Sequence, residues 1–296
     1  MVDTPPLVEG TVEANGLRFG TLGAGTDGPL ALCLHGFPDS AWTWQHLLPE
    51  LAAAGYRAVA PFLRGYAPTE IPADGLYQPG ALAADAIALH EALGGDGDAV
   101  LIGHDWGALA TYGAAGHAPE RWRRVVSAAV MPPAAVAQDF FGYDQLRLSW
   151  YMFFFQSPMA EAVVAADDLA FVDRLWADWS PGFDGAEFAA RCKDALRDPA
   201  NLAAAIAYYR ATLGDGLRSS DLEPIEVAGL APSGHPHLYL HGADDGCMGS
   251  HLLTDAVRTA FPHPDSQVLE LEGCGHFLHL ERPTEVNRLI IDFLTA

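Results

Sequence analysis

The sequence predicts an α/β fold, a mostly parallel β-sheet flanked by helices and interrupted by an inserted helical cap. Three observations carry this. Short apolar, β-branched segments alternate with helix-length segments up to Pro133; strand-like segments then stop until about Leu222; and two more strand–helix pairs follow, beginning at His237.

Taken in order, residues 12–22 read as two short strands around Asn15-Gly16, a tight hairpin turn. Residues 30–34 form a buried strand, 42–54 a helix, 56–60 a strand and 81–93 a helix closed by Gly94-Gly95. A strand over 98–102, a helix over 108–115 and a strand over 124–130 come next, the last stopped by Met131-Pro132-Pro133. Residues 136–222 are helical and aromatic. Strands at 237–241 and 267–271, each followed by a helix, complete the chain, with the final helix over 284–294. The expected organisation is a core over 1–133, a cap over 134–224 and a second core portion over 225–296.

Composition suits a soluble α/β protein, since half the residues are hydrophobic and only 18% are charged. The net charge of -22, with Lys193 the sole lysine, repels nucleic acid and anionic membranes and leaves neutral small molecules unaffected. Residues 1–6 have neither a basic nor an apolar leader region, and no apolar run approaches the roughly 20 residues that span a bilayer, so a cytoplasmic location is expected. Cys33, Cys192, Cys247 and Cys274 show no C-x-x-C spacing; neither a zinc site nor a disulfide framework is indicated, and buried inert thiols are the default. A homodimer is left open.

The chemistry concentrates at Gly103-His104-Asp105-Trp106-Gly107, between a buried strand and a helix. This is a nucleophile elbow with aspartate where serine or cysteine is usual; the flanking glycines permit a sharp strand-to-helix turn. A serine attacking saturated carbon leaves an ether, which water does not cleave, whereas a carboxylate leaves an ester that can be hydrolysed at its carbonyl. The elbow therefore points to epoxide opening or halide displacement. The plainer alternative is an acid that caps the following helix.

The order expected for such a site is nucleophile, acid, histidine. Gly242-Ala-Asp-Asp-Gly246 and Gly273-Cys-Gly-His-Phe277 each follow a late strand, which makes His276 the candidate base and Asp245 the acid that orients it, with Asp244 as fallback. Backbone N–H groups of Phe37 and Trp106 fill the oxyanion-hole places, and Pro38 stiffens the first of these loops through a cis bond. His35 and His104 are expected as scaffold.

The segments His35-Gly-Phe-Pro-Asp-Ser40, Arg64-Gly-Tyr66, Gly103-His-Asp-Trp-Gly107 and Gly273-Cys-Gly-His276, in this order across nearly the whole chain, resemble the α/β-hydrolase-fold epoxide hydrolases. The haloalkane dehalogenases are the nearest relatives of that family. The resemblance implies an eight-stranded sheet, no cofactor or metal, and a small apolar epoxide and water as the reacting partners. Phe62 departs from it, standing where many relatives carry aspartate. The family uses two cap tyrosines to hold the epoxide oxygen; Ser149-Trp-Tyr-Met-Phe-Phe-Phe-Gln156 and Ala207-Tyr-Tyr-Arg210 match those segments. The resemblance thus implies Tyr151 and Tyr209 as acids, Tyr208 as runner-up for the second, and Phe37, Trp106, Tyr151 and Tyr209 as substrate-binding.

A dehalogenase would need two side-chain N–H donors for the halide. Trp106 offers one; Phe37 offers none, leaving Trp150, Trp176 or Trp179 for the second. Fluoroacetate-type dehalogenases carry arginine where this chain has Trp106. A ligand-binding receptor on a hydrolase scaffold is a third reading. Phe140, Phe141, Phe153, Phe154 and Met159 suggest an apolar pocket in the cap.

Overall fold

The computed structural model describes residues 5–296, so the amino-terminal stretch read above for a leader lies largely outside the described residues. Its strands are β1 (Val8–Ala14), β2 (Leu17–Ala24), β3 (Leu30–Leu34), β4 (Arg57–Pro61), β5 (Val100–His104), β6 (Arg124–Ala128), β7 (His237–Gly242) and β8 (Gln267–Leu271). They form one eight-stranded sheet in the order β1-β2-β4-β3-β5-β6-β7-β8. Strand β2 is antiparallel to both neighbours and every other neighbouring pair is parallel. The central strands β3, β5 and β7 are buried at every residue, as continuous apolar runs covered on both faces should be. The hairpin turn sits at Asn15 and Gly16, both at positive φ, which matches the twist of the flanking strands.

The core helices preceding β6 are α1 (Leu47–Ala53), α2 (Pro79–Ala92) and α3 (Trp106–His117). Residues 42–54 are not one helix: a 3-10 turn, Ala41–Trp44, is separated from α1 by Gln45 and His46. Pro49 is the reason, because a proline without an N–H fits only the first turn of a helix and so fixes where α1 begins. Strand β6 ends at Ala128 rather than residue 130, since Ala129 turns left-handed (φ 67°).

Between β6 and β7 the chain runs through α4 (Pro133–Val136), α5 (Tyr143–Leu148), α6 (Trp150–Phe154), α7 (Ala160–Trp179), α8 (Ala186–Leu196), α9 (Pro199–Leu213) and α10 (Glu223–Ala228). Helix α7 is interrupted where Asp167, Asp168 and Leu169 adopt left-handed backbone. Helix α9 starts cleanly: Pro199 occupies its first position and the Asp198 carboxylate accepts the Ala200 N–H at 2.8 Å. After β7 come α11 (Asp255–Thr259), α12 (Leu278–Glu281) and α13 (Pro283–Thr295). Among the described residues no helix is long and apolar enough to cross a membrane.

The turn from β5 into α3 is the tightest junction. A Cβ on Gly103 would lie 2.2 Å from the Gly107 carbonyl oxygen, and one on Gly107 would lie 2.1 Å from the Leu34 carbonyl oxygen. Both obstacles are backbone, so neither can swing aside. We expect Gly107→Ala to cost about 3 kcal/mol and lower Tm by roughly 6–12 °C in a thermal melt. Gly234→Ala, with nothing within 4 Å of the added carbon, should leave Tm within about 2 °C of the parent.

Candidate functional site

At the end of β5 the Asp105 backbone sits at φ 53°, ψ -117°, outside the regions open to ordinary residues. Its side chain does not cap α3. Instead Oδ1 accepts the Phe37 N–H at 2.8 Å, so the plainer reading of Asp105 as a helix cap fails on geometry. Phe37 belongs to the loop after β3 and is joined to Pro38 by a cis peptide bond. Trp106 opens α3, so its N–H has no acceptor in a preceding helical turn.

The loops after β7 and β8 bring Asp245 and His276 to the same edge. His276 Nδ1 donates to Asp245 Oδ2 at 2.9 Å, and His276 Nε2 faces Asp105 Oδ2 at 3.6 Å, longer than a hydrogen bond. The other Asp245 oxygen accepts the N–H groups of Cys247 and Met248 at 2.7 and 2.9 Å. Asp244, the fallback acid, is exposed. Burial alone would lower the His276 pKa, but the Asp245 and Asp105 carboxylates hold it up, at about 10. Burial likewise opposes ionisation of Asp105; attraction to the His276 imidazole and the hydrogen bond from the Phe37 N–H overcome it and keep that carboxyl below its usual range.

The scaffold histidines are neutral. Leu63 N–H donates to His35 Nε2 while His35 Nδ1 donates to the Gly36 carbonyl, and His104 Nε2 donates to the His276 carbonyl at 2.9 Å. Burial pushes them down to about 4 and about 3 respectively. The Arg64-Gly65-Tyr66 segment is held by a buried bidentate pair, Arg64 with Asp85, at 2.6 Å on each arm. Phe62, the departure from the expected aspartate, is buried in the core beside this segment.

Tyr208 and Tyr209 are adjacent on α9 and therefore point about 100° apart. Tyr208 donates its hydroxyl to the Arg64 carbonyl at 2.8 Å, away from Asp105. Tyr209 packs on Trp106 and Tyr151, with ring centroids 5.0 and 5.6 Å away, and its buried hydroxyl has no hydrogen-bond partner. Tyr151, on α6, is fully buried with its hydroxyl 3.3 Å from the Cys247 Sγ. Burial holds both phenols well above their usual pKa, so both keep their protons at neutral pH.

A cavity of about 250 Å³ opens onto Asp105, Trp106, Tyr209 and Cys247, its wall otherwise apolar and built from residues such as Leu109, Met131, Phe140 and Phe141. Phe37 and Tyr151, named above as substrate-binding, pack behind this wall and do not line it. Of the five apolar cap residues, Phe153 and Met159 face solvent and Phe154 stacks on Phe171. The candidate halide donors fare similarly: the Trp176 indole donates to the Pro38 carbonyl at 2.8 Å, Trp150 is half exposed, and Trp179 packs on His276 and Tyr151.

Three contributors are not singled out by the sequence reading, although Asp39 lies within the His35–Ser40 segment. The Trp179 carbonyl accepts the N–H groups of both Gly246 and His276, tying the two late loops together. Gln145, buried on α5, donates to the Cys247 carbonyl and accepts from Gly249 N–H. Asp39 is buried beside Thr43, His104 and His279, with Oδ2 lacking a partner. The first two act through backbone contacts that no local motif announces.

A family model described as the alpha/beta hydrolase fold matches residues 29–283. The chain belongs to the alpha/beta hydrolase fold family, and it is a hydrolase. Epoxide hydrolase A of Mycobacterium tuberculosis is 30% identical to it over an alignment of 320 positions that covers 97% of each chain. An epoxide hydrolase of Caballeronia sordidicola is 29% identical, covering 98% of this chain and 94% of its own. Among solved structures, epoxide hydrolase A from Mycobacterium thermoresistibile superposes with a TM-score of 0.79 at 28% identity, covering 98% of this chain and 99% of that one. An epoxide hydrolase from an endophytic Streptomyces gives 0.77 at 28% identity, covering 98% and 95%.

Burial raises the Asp39 carboxyl to about 7, outweighing the hydrogen bond that Oδ1 accepts from the Ser40 N–H. A raised native value means that its stabilisation is present at low pH and is lost as pH climbs from about 4 to about 7. Asp39→Asn, which does not titrate, should therefore gain Tm relative to the parent across that window and hold a constant advantage above it. Thermal melts at pH 4, 5.5, 7 and 8.5 check this; a difference that is flat with pH would show that Asp39 carries no such penalty.

Proposed function

We propose that this hydrolase converts epoxides to vicinal diols through a hydroxyalkyl ester on Asp105. The observation that carries the reading is a carboxylate, uncommitted to helix capping, at a strained elbow that borders an apolar cavity and faces the partner-free Nε2 of His276. The full-length likeness to proteins named epoxide hydrolases supports it.

In this mechanism Tyr209, on the cavity wall, and Tyr151, once its hydroxyl turns from the Cys247 Sγ toward the cavity, donate hydrogen bonds to the epoxide oxygen, and Asp105 Oδ2 attacks a ring carbon. The C–O bond breaks, and the alkoxide takes a proton from the tyrosine side as the ester forms. Ester formation also removes the negative charge of Asp105. That charge is one of the causes holding the His276 pKa up, so its loss lowers that pKa and lets the imidazole shed its proton to solvent, leaving the neutral ring available as the base of the second step. With Asp245 orienting it, His276 then takes a proton from water, which adds to the ester carbon. The Phe37 N–H, already on Oδ1, and the Trp106 N–H stabilise the oxyanion; its collapse breaks the bond between the ester carbon and the alkyl oxygen, which takes the proton held by His276, the second proton of the water returns to the tyrosine side, and the diol leaves. The apolar cavity of about 250 Å³ favours a small apolar epoxide.

Halide displacement has fewer donors to draw on: the Phe37 side chain is apolar and the Trp176 indole is committed to Pro38, which leaves Trp179, beside His276, for the second.

His276→Gln blocks the second step, so incubation with styrene oxide should leave an adduct equal to the whole epoxide on the Asp105 peptide, read by intact mass and peptide mapping. Adding Tyr209→Phe should slow adduct formation by roughly tenfold or more. An alkyl adduct from a bromoalkane, with none from the epoxide, would replace this reading by the dehalogenase; saturable binding with neither adduct would favour the receptor.

A further inference from the structure

One side chain in the cavity wall has no part in the mechanism above. Cys247 lies two residues after Asp245, and its position is fixed from both sides: its N–H is held by Asp245 Oδ1 at 2.7 Å and its carbonyl by Gln145 Nε2 at 2.9 Å. The Cys247 Sγ, a carboxylate oxygen of Asp105 and a ring nitrogen of His276 lie within 4.8 Å of one another, and all three side chains are buried. His276 Nε2 has no hydrogen-bond partner. Cys247 and Asp105 border the cavity, which gives a solute a way in.

We propose that Asp105, Cys247 and His276 form a binding site for a soft divalent cation, Zn²⁺ or Cd²⁺, that shuts the active site when occupied. One thiolate, one imidazole and one carboxylate are the donor types that tetrahedral zinc takes, with its fourth position left for water from the cavity. Bonds of roughly 2.0–2.3 Å place tetrahedral ligands between 3 and 4 Å apart, so the three atoms need only small movements to close on an ion. Sulfur and imidazole favour Zn²⁺ and Cd²⁺ over Mg²⁺ and Ca²⁺, which prefer oxygen. Binding converts Cys-SH to a metal thiolate and releases that proton to solvent, together with the His276 proton where it is present, so affinity rises with pH. Burial keeps the free thiol protonated at neutral pH, so the metal, and not a resident thiolate, drives the ionisation. Occupancy takes both the nucleophile and the base out of use.

The test does not depend on the substrate, because Co²⁺ reports its own ligands. The chelator-treated, desalted protein is titrated with Co²⁺ at pH 8 and followed by absorption. One equivalent should produce a near-ultraviolet thiolate-to-cobalt charge-transfer band with tetrahedral-intensity visible bands, and one equivalent of Zn²⁺ should bleach it. Cys247→Ala, with folding checked by near-ultraviolet circular dichroism, should lose the charge-transfer band and bind Zn²⁺ at least tenfold more weakly. His276→Gln should keep the sulfur band but weaken binding, and Cys274→Ser should behave as the parent. Absence of a charge-transfer band in the parent, or its persistence in Cys247→Ala, would overturn the proposal. So would Zn²⁺ affinity unchanged in both Cys247→Ala and His276→Gln.

Discussion

The structure turns on the backbone of one residue. Asp105 is held at φ 53° because β5 must hand directly to α3 while both lie against β3 and its following loop. The space for that turn exists only because Gly103 and Gly107 carry no Cβ; any side chain there would meet main-chain carbonyl groups. Strain of this kind persists only where the surroundings over-determine it. Its consequence is that a carboxylate leaves the helix it would otherwise cap and is presented to the Phe37 N–H, to His276 and to the cavity.

Electrostatics then set what the carboxylate can do. Two buried acids share one imidazole, and the charges satisfy each other without direct contact between the acids: Asp245 is saturated by His276 Nδ1 and two backbone N–H groups, whereas Asp105 keeps an oxygen free of hydrogen bonds. The imidazole feels both negative charges, so its proton affinity depends on whether Asp105 is charged. In the proposed mechanism Asp105 loses its charge on forming the ester, which changes the proton affinity of the His276 imidazole that acts next. The phenols opposite are kept protonated by the same burial that keeps water from competing for them.

Much of this was legible in the sequence, for physical reasons that differ by element. Strand β3 was read to the residue because Leu30–Leu34 is an unbroken apolar run, the pattern that a strand covered on both faces requires. The helix expected over 42–54 was wrong because Pro49 sits inside an otherwise regular pattern and moves the helix start. The choice between Tyr208 and Tyr209 is invisible in the sequence, since adjacent helix positions differ only in direction; the hydrogen bond from Tyr208 to Arg64 separates them. The linking role of Trp179 has no mark in the sequence because it acts through its carbonyl, and the grouping around Cys247 has none because its neighbours come from loops that meet only in the folded chain.

In the proposed mechanism the oxygen delivered to carbon comes from Asp105 and not directly from water. A single turnover in H₂¹⁸O, with enzyme in excess over styrene oxide, separates the two. The expected result is a first-turnover diol without the label and an Asp105 peptide heavier by one ¹⁸O, because water attacks the ester carbon and leaves its oxygen on the carboxylate. Label in the diol, with an unlabelled Asp105 peptide, would mean that water opens the epoxide itself and would contradict it.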